Sequence, residues 1–535
     1  MKLTLESIKN KAPWEAAGIA LPSYDIEKVA ENTKKAPVWV HFGIGNIFRI
    51  FIGGLADTLI SEGVADKGIT CVETFDFDVV DKIYEPYDNL VLAVTLKADG
   101  STDKKVLGSL TEAIKAQSNV PEYWNRLKAI FTNPELQMVS FTITEKGYAL
   151  KGADGNYFPF IQADIDNGPE KPGAAMAVVC ALLYERWKAG KAPLAVVSMD
   201  NCSHNGEKLQ NSILTMAKEW QAKGFVEEDF VAYLSDEKQV SFPWSMIDKI
   251  TPRPADSVCA DLEKAGVEEI APVITSKRTY IAPFVNAEGP QYLVIEDKFP
   301  NGRPALEKAG VYMTDRDTVN KVERMKVTTC LNPLHTALAV YGCVLGYTLI
   351  ADEMRDEQLN KLVHEIGPVE GMPVVTDPGI LSPSAFVDEV INVRIPNPFM
   401  PDTPQRIATD TSQKVGIRYG ETIKSYVEKD GDAKKLTAIP LAIAGWCRYL
   451  LGVDDEGKAF ERSADPMLDE LSKALEGIEV GKPETYNGQL KGILSNANIF
   501  GIDLYQAGIG EKIEGMFLEE IAGPGAVRAT LKKYM

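Results

Sequence analysis

The 535-residue chain carries 76 acidic against 57 basic side chains, a net charge of −19, a field that opposes nucleic acid and anionic membrane surfaces and favours small-molecule chemistry. Its composition, 45% hydrophobic and 25% charged, is that of a globular protein long enough for two large domains. The start, MKLTLESIKNKAPWEAAG, lacks an apolar core of signal-peptide length, and the longest apolar run, 336–350, is too short to cross a bilayer, so a soluble cytoplasmic protein is expected.

Seven cysteines stand singly, with no C-x-x-C pair and no Cys/His cluster at metal-ligand spacing. They read as reduced, mostly buried thiols, and no metal site is expected.

In chain order, the apolar run 38–42 (V-W-V-H-F) ends in Gly43-Ile44-Gly45, and an amphipathic pattern follows at Phe48, Phe51, Leu55 and Leu59. Strand, glycine turn and helix in that order bring backbone amides close to a pyrophosphate at a helix N-terminus. Phe48 stands where a third glycine of G-x-G-x-x-G would be, and Arg49 comes next. A second strand, 68–72, ends in Glu73-Thr74-Phe75-Asp76. An acid at that strand end holds the ribose 2′-hydroxyl and repels a 2′-phosphate, so NAD is expected rather than NADP, with Glu73 and Asp76 both candidates.

Two later strands run into polar clusters: 136–142 into Thr144-Glu145-Lys146-Gly147-Tyr148, and 194–198 into Asp200-Asn201-Cys202-Ser203-His204-Asn205. Ligands sit beyond the carboxyl ends of parallel strands, so Thr144, Glu145 and Asn201 are placed on the rim of the glycine turn. Helical patterns at 174–188 and 207–224 supply crossovers. Asp248 and Lys249 precede a proline-rich exit, and the domain junction is placed near 290. The expected architecture is an α/β Rossmann-type N-terminal domain, 1–290, followed by a mainly α-helical C-terminal domain, 291–535.

The second half opens on E-R-M-K-V-T-T-C-L-N-P-L-H, 323–335, ahead of a long apolar helix. Asn332 before Pro333 reads locally as a helix cap, and His335 as a first-turn core histidine. Helical patterns at 356–366, 382–393, 403–410, 438–451, 466–476 and 522–533 suit an all-helical domain.

Taken together, H-F-G-I-G-N-I-F-R, T-I-T-E-K-G-Y, M-D-N-C-S-H-N-G, I-D-K-I-T-P, F-P-N-G-R-P, E-R-M-K with L-N-P-L-H, and Q-R-I-A-T-D-T-S-Q-K resemble the polyol-specific long-chain dehydrogenases, the mannitol dehydrogenase family. The resemblance spans nearly the whole chain. It implies NAD without metal, Lys326 as acid/base, Asn332 and His335 as holders of the reacting oxygen, and Glu323 as a gate for proton exchange. It places Asp248 in a substrate-side motif and Arg406 and Lys414 in the substrate-binding motif, where cations suit a carboxylate. A lysine that works near neutral pH must be desolvated or beside another cation, so Lys326 is expected to be buried. His335, at the positive end of a helix, is expected to stay neutral.

The family leaves four residues between its lysine and asparagine. Here five intervene, 327–331, so a bulge or loop must absorb one, or Asn332 only caps. The implied reaction is hydride transfer between a nicotinamide and the C–OH or C=O carbon of an open-chain sugar acid or polyol. Fructuronate and mannonate are the expected pair, ahead of fructose and mannitol and of tagaturonate and altronate. A short-chain dehydrogenase would carry Tyr-x-x-x-Lys after its fourth or fifth strand, and the pair Tyr24 and Lys28 precedes the first strand. A noncatalytic nucleotide-binding protein would lack the lysine, asparagine and histidine.

Overall fold

Six short apolar runs become the strands β1 (Trp39–Phe42), β2 (Ile69–Glu73), β3 (Leu110–Lys115), β4 (Met138–Phe141), β5 (Leu194–Ser198) and β6 (Val240–Ser241) of one sheet in the computed structural model, which describes residues 1–535. Their order is β3-β2-β1-β4-β5-β6, and every neighbouring pair is parallel. That is the strand order of the doubly wound dinucleotide-binding fold. Successive residues of a strand face opposite sides, and both sides are covered. Val40, Phe42, Val139 and Phe141 pack with Leu127, Val178, Leu182 and Ile213, from the crossover helices α2 (Pro121–Thr132), α3 (Ala175–Lys188) and α4 (Asn205–Ala222). Trp39, Cys71, Met138 and Val197 pack with Leu55 and Leu59 of α1 (Gly53–Ser61). The strand order reverses between β1 and β4, so their carboxyl ends flank the crevice where such sheets bind ligands.

By compactness the chain divides into two units, Met1–Leu96 with Ser101–Asn320, and Lys97–Gly100 with Lys321–Met535. The exchange lies beyond position 290 because Tyr292–Glu296 pairs antiparallel with Ser245–Asp248 and parallel with Tyr312–Thr314, which holds that stretch in the first unit. It falls inside the helix α5 (Arg316–Met325).

Tyr312–Thr314 is the last strand of the chain. The second unit is mainly helical, built round α6 (Asn332–Leu345) and α8 (Ala438–Leu450), the latter buried along its whole length. Between them lies the short α7 (Pro404–Ile407), and α9 (Gly510–Glu520) packs on α8. No helix of the chain is long and apolar enough to cross a membrane.

A buried carboxyl joins three of these helices. The Tyr341 hydroxyl on α6 lies 2.7 Å from the Leu441 carbonyl oxygen and 2.6 Å from Glu520 Oε1. One hydroxyl has one proton to donate. Burial pushes the Glu520 carboxyl up to about 8, and its Oε2 has no partner. At neutral pH the protonated carboxyl therefore donates to Tyr341, which donates to Leu441. A folded value above the unfolded one means that this stabilisation is fully present below about pH 4.3 and is lost as pH rises through 8. Glu520→Gln keeps a donor facing Tyr341. Its stability relative to the wild type should rise between pH 5 and 8 by up to about 1.4 kcal/mol per pH unit. Calorimetric melts that stay parallel across that range would exclude this assignment.

Candidate active site

At the carboxyl end of β1, Gly43 has φ +85°, and a Cβ there would lie 2.2 Å from the Thr142 carbonyl oxygen, so only glycine lets β1 leave the sheet beside β4. Gly45 faces open space: a Cβ there would meet nothing within 4 Å. A backbone with room beside it, ahead of a helix, suits a pyrophosphate. Phe48, in the slot of the third glycine, is fully buried and stacks on His41 with ring centroids 4.1 Å apart. Arg49 is buried too; its Nη1 donates to the Ala282 carbonyl at 2.7 Å and its Nη2 to that of Pro283 at 2.8 Å. Both side chains brace the turn from behind, Phe48 through His41 and Arg49 through two carbonyls.

The two acids after β2 are not equivalent. Glu73 Oε1 accepts from the amides of Thr74, Phe75 and Asp76, and its Oε2 from that of Ile44 at 3.4 Å. It braces the acidic loop against the glycine turn; burial raises its pKa and these amides oppose the rise. Asp76 accepts from the Thr275 hydroxyl at 2.6 Å through Oδ2, while Oδ1 is buried without a partner. An orphaned carboxylate oxygen is costly unless a ligand donates to it. The open turn at Gly45 and this oxygen together fit an adenine dinucleotide with a free ribose 2′-hydroxyl.

The motifs after β4 and β5 meet at Asp200. Its carboxylate accepts from the amides of Ile143 and Thr144 at 2.9 Å each and from the Tyr148 hydroxyl at 2.5 Å. Thr144 sits at φ +65°. Glu145 pairs with Lys208 at the surface, and Asn201 is exposed beside Asp200. Tyr148 and Asp200 are thus loop-positioning residues that strand-end reasoning quoted within their motifs but did not single out. Asp248 ends the buried strand Ser245–Asp248, and Lys249 Nζ donates to the Glu288 carbonyl at 2.7 Å.

In the second unit the five residues Lys326–Cys330 form a π-turn, closed by the Leu331 amide donating to the Lys326 carbonyl at 3.1 Å. The wider turn takes up one extra residue without a loop, which is how the chain absorbs its longer lysine-to-asparagine spacing. Lys326 is buried, 4% exposed. Glu323 is half-buried, three residues earlier on α5. Asn332 is the first residue of α6; Leu331 occupies the cap position and no side chain caps the helix. Asn332 is therefore not the cap, and its Oδ1 is buried with no partner. His335, one turn on, is 16% exposed with Nε2 3.7 Å from Asp402 Oδ2.

Burial and the guanidinium groups of Arg418, Arg406 and Arg394 push the His335 imidazole down to about 3. Asp402 does not offset them, because Arg406 already engages its other oxygen. His335 is therefore neutral at every working pH, a form that can hydrogen-bond but carries no extra proton. Lys414 donates through Nζ to the Thr409 carbonyl; burial and Arg418 lower its pKa. Arg418 was not singled out from the sequence; its place beside Thr336, through a 2.5 Å hydrogen bond from Nη1, is a long-range contact.

A family model of the mannitol dehydrogenase Rossmann domain matches residues 37–308, and one of the mannitol dehydrogenase C-terminal domain matches residues 318–517. The chain belongs to the mannitol dehydrogenase family. It is 55% identical over 536 residues to a D-mannonate oxidoreductase of Thermotoga maritima, covering 100% of this chain and 99% of that one. It is 31% identical to a mannitol 2-dehydrogenase of Phaeosphaeria nodorum over 88% of this chain and 77% of that one. Among solved structures, a D-sorbitol dehydrogenase in substrate-free form matches with TM-score 0.78 at 26% identity, covering 96% of this chain and 98% of that one. A Pseudomonas fluorescens mannitol 2-dehydrogenase, in ternary complex with NAD and D-mannitol, matches with TM-score 0.69 at 25% identity, covering 100% of this chain and 99% of that one.

Two outcomes follow from the geometry. Asp76→Ala should lower the preference for NADH over NADPH by about 10- to 100-fold, the worth of one charge-assisted hydrogen bond, read from the ratio of dissociation constants. His335→Gln should lower turnover while leaving the midpoints of the pH–rate profile between pH 5 and 9 in place, since a group near 3 does not titrate there. A displaced acid limb in that variant would refute the neutral-histidine role.

Proposed function

We propose that this chain interconverts D-fructuronate and D-mannonate in an NAD-dependent reaction, with Lys326 as the acid/base. The bound dinucleotide supplies or takes the hydride. In the reducing direction the Lys326 ammonium donates its proton to the substrate oxygen as negative charge grows there. Asn332 and His335 hold that oxygen, and the unpartnered polar atom of Asn332 is the sign of a group kept ready for a ligand. Glu323, three residues before Lys326 in the last turn of α5, passes the proton to and from water. Asp76 receives the ribose hydroxyl, while Glu73 and Asp200 set the loops that border the dinucleotide, with Thr144, Glu145 and Asn201 along the rim and Asp248 on the substrate side.

The observation that carries the choice of an acid over a neutral sugar is the group of cations, Arg394, Arg406 and Arg418, whose charge reaches the neutral His335. A polyol needs no such field; a carboxylate does. The whole-length likeness to a D-mannonate oxidoreductase supports the same reading.

Oxidation of NADH measured side by side with fructuronate, tagaturonate and fructose should give the highest kcat/KM for fructuronate, about 100-fold or more over fructose. A preference for fructose would move the reading to mannitol. Lys326→Ala should reduce kcat by about 10²- to 10⁴-fold with NADH binding intact; near-wild-type turnover across the pH range would remove the lysine from its role.

A further inference from the structure

Of the cations around His335, Arg406 and Lys414 have carboxylates near them, while Arg418 has no carboxylate partner. Arg406 is paired with Asp402. Lys414 donates to the Thr409 carbonyl and feels Asp410 and Asp465. Arg394 is fully buried and has partners of its own. The Arg418 guanidinium makes one hydrogen bond, from Nη1 to the Thr336 hydroxyl at 2.5 Å. Thr336 follows His335 on α6, and the charge of the guanidinium reaches the His335 imidazole.

The turn that carries Arg418 is rigidly seated. It is the π-turn Gly416–Gly420, and its two end glycines lie against backbone: a Cβ on Gly416 would be 2.6 Å from the Ile499 carbonyl oxygen, and one on Gly420 would be 1.8 Å from that of Phe500. The neighbouring Tyr419 is buried and donates to the Pro333 carbonyl in the first turn of α6 at 2.8 Å. A half-buried fork is thereby fixed relative to His335, with N–H groups left over after Thr336 is served.

We propose that Arg418 anchors the carboxylate of the sugar acid and is the residue that selects an acid over a neutral keto-sugar of the same length. The inference rests on the fructuronate reading above and deepens it. Burial pushes the Arg418 guanidinium down to about 10, with only the Tyr419 phenol opposing that shift. A desolvated cation of this kind gains most from a bound anion, and a planar guanidinium matches a carboxylate through two parallel hydrogen bonds. The motif cations Arg406 and Lys414, already engaged within the chain, are left to contact hydroxyls.

The test compares fructuronate with fructose in the wild type, Arg418→Met and Arg418→Lys, with NADH binding as the check on folding. The kcat/KM ratio of fructuronate to fructose should fall about 10- to 100-fold in Arg418→Met, mainly through KM for the acid. Calorimetric binding of mannonate should weaken by a similar factor. Arg418→Lys, which keeps the charge without the fork, should fall between and serves if the methionine variant fails to fold. Equal losses on both substrates, or an unchanged ratio in either folded variant, would overturn the assignment. A wild type with no preference for fructuronate would instead overturn the functional reading on which it rests.

Discussion

The π-turn at Lys326–Cys330 is the constraint on which the chemistry of the second unit depends. In a regular α-helix one inserted residue turns everything after it by about 100°. Here the insertion is contained: the Leu331 amide reaches back five residues to Lys326, and α6 starts directly afterwards with Asn332. Its polar groups are met from elsewhere in the same unit, since the Thr422 hydroxyl donates to the Thr328 carbonyl and the Thr328 hydroxyl to that of Arg324. Gly371 lets a neighbouring turn close on it, because a Cβ there would be 2.7 Å from the Thr329 methyl. The lysine is thereby buried while the asparagine and histidine keep their one-turn separation.

Buried carboxylates give both units their second device. Glu73 gathers four backbone amides and Asp200 gathers two with a tyrosine hydroxyl. Glu370 takes the amides of Thr437, Ala438 and Ile439 at the start of α8, standing in for the side-chain cap that helix lacks and placing an acid at the positive end of its dipole. Asp200 and Glu370 satisfy amides of other segments, and Glu73 ties its own loop to the amide of Ile44. The rim of the nucleotide crevice thus consists of loops tied to one another.

The electrostatics of the catalytic end follow from the same economy. Burial first, and the guanidinium groups of Arg418, Arg406 and Arg394 after it, keep the His335 imidazole neutral. A neutral ring can donate a hydrogen bond to an oxygen as charge develops on it, without competing with Lys326 for the proton. The same guanidinium groups that add to the effect of burial on His335 make this part of the second unit electropositive.

The sequence by itself determined four of the six parallel strands, the glycine turn, the helical second unit and the ordered motifs, because each is written in neighbours two to four residues apart. Residues 38–42 and 194–198 could only be buried strands, and Gly43 only a turn. It also brought Lys326, Asn332 and His335 together, since one turn and one helix carry all three. Tertiary structure decided the rest. That Arg49 binds the carbonyls of Ala282 and Pro283, 233 and 234 residues away, is a staple that no local pattern announces. The choice between Glu73 and Asp76 depends on which carboxylate the folded loop leaves with an unshared oxygen. The extension of the first unit past 290 depends on a strand pairing with 245–248, and the place of Arg418 on a hydroxyl 82 residues away. Local periodicity reports which face of an element is buried; it does not report which distant group answers a given charge, and at this site that answer separates scaffold from chemistry.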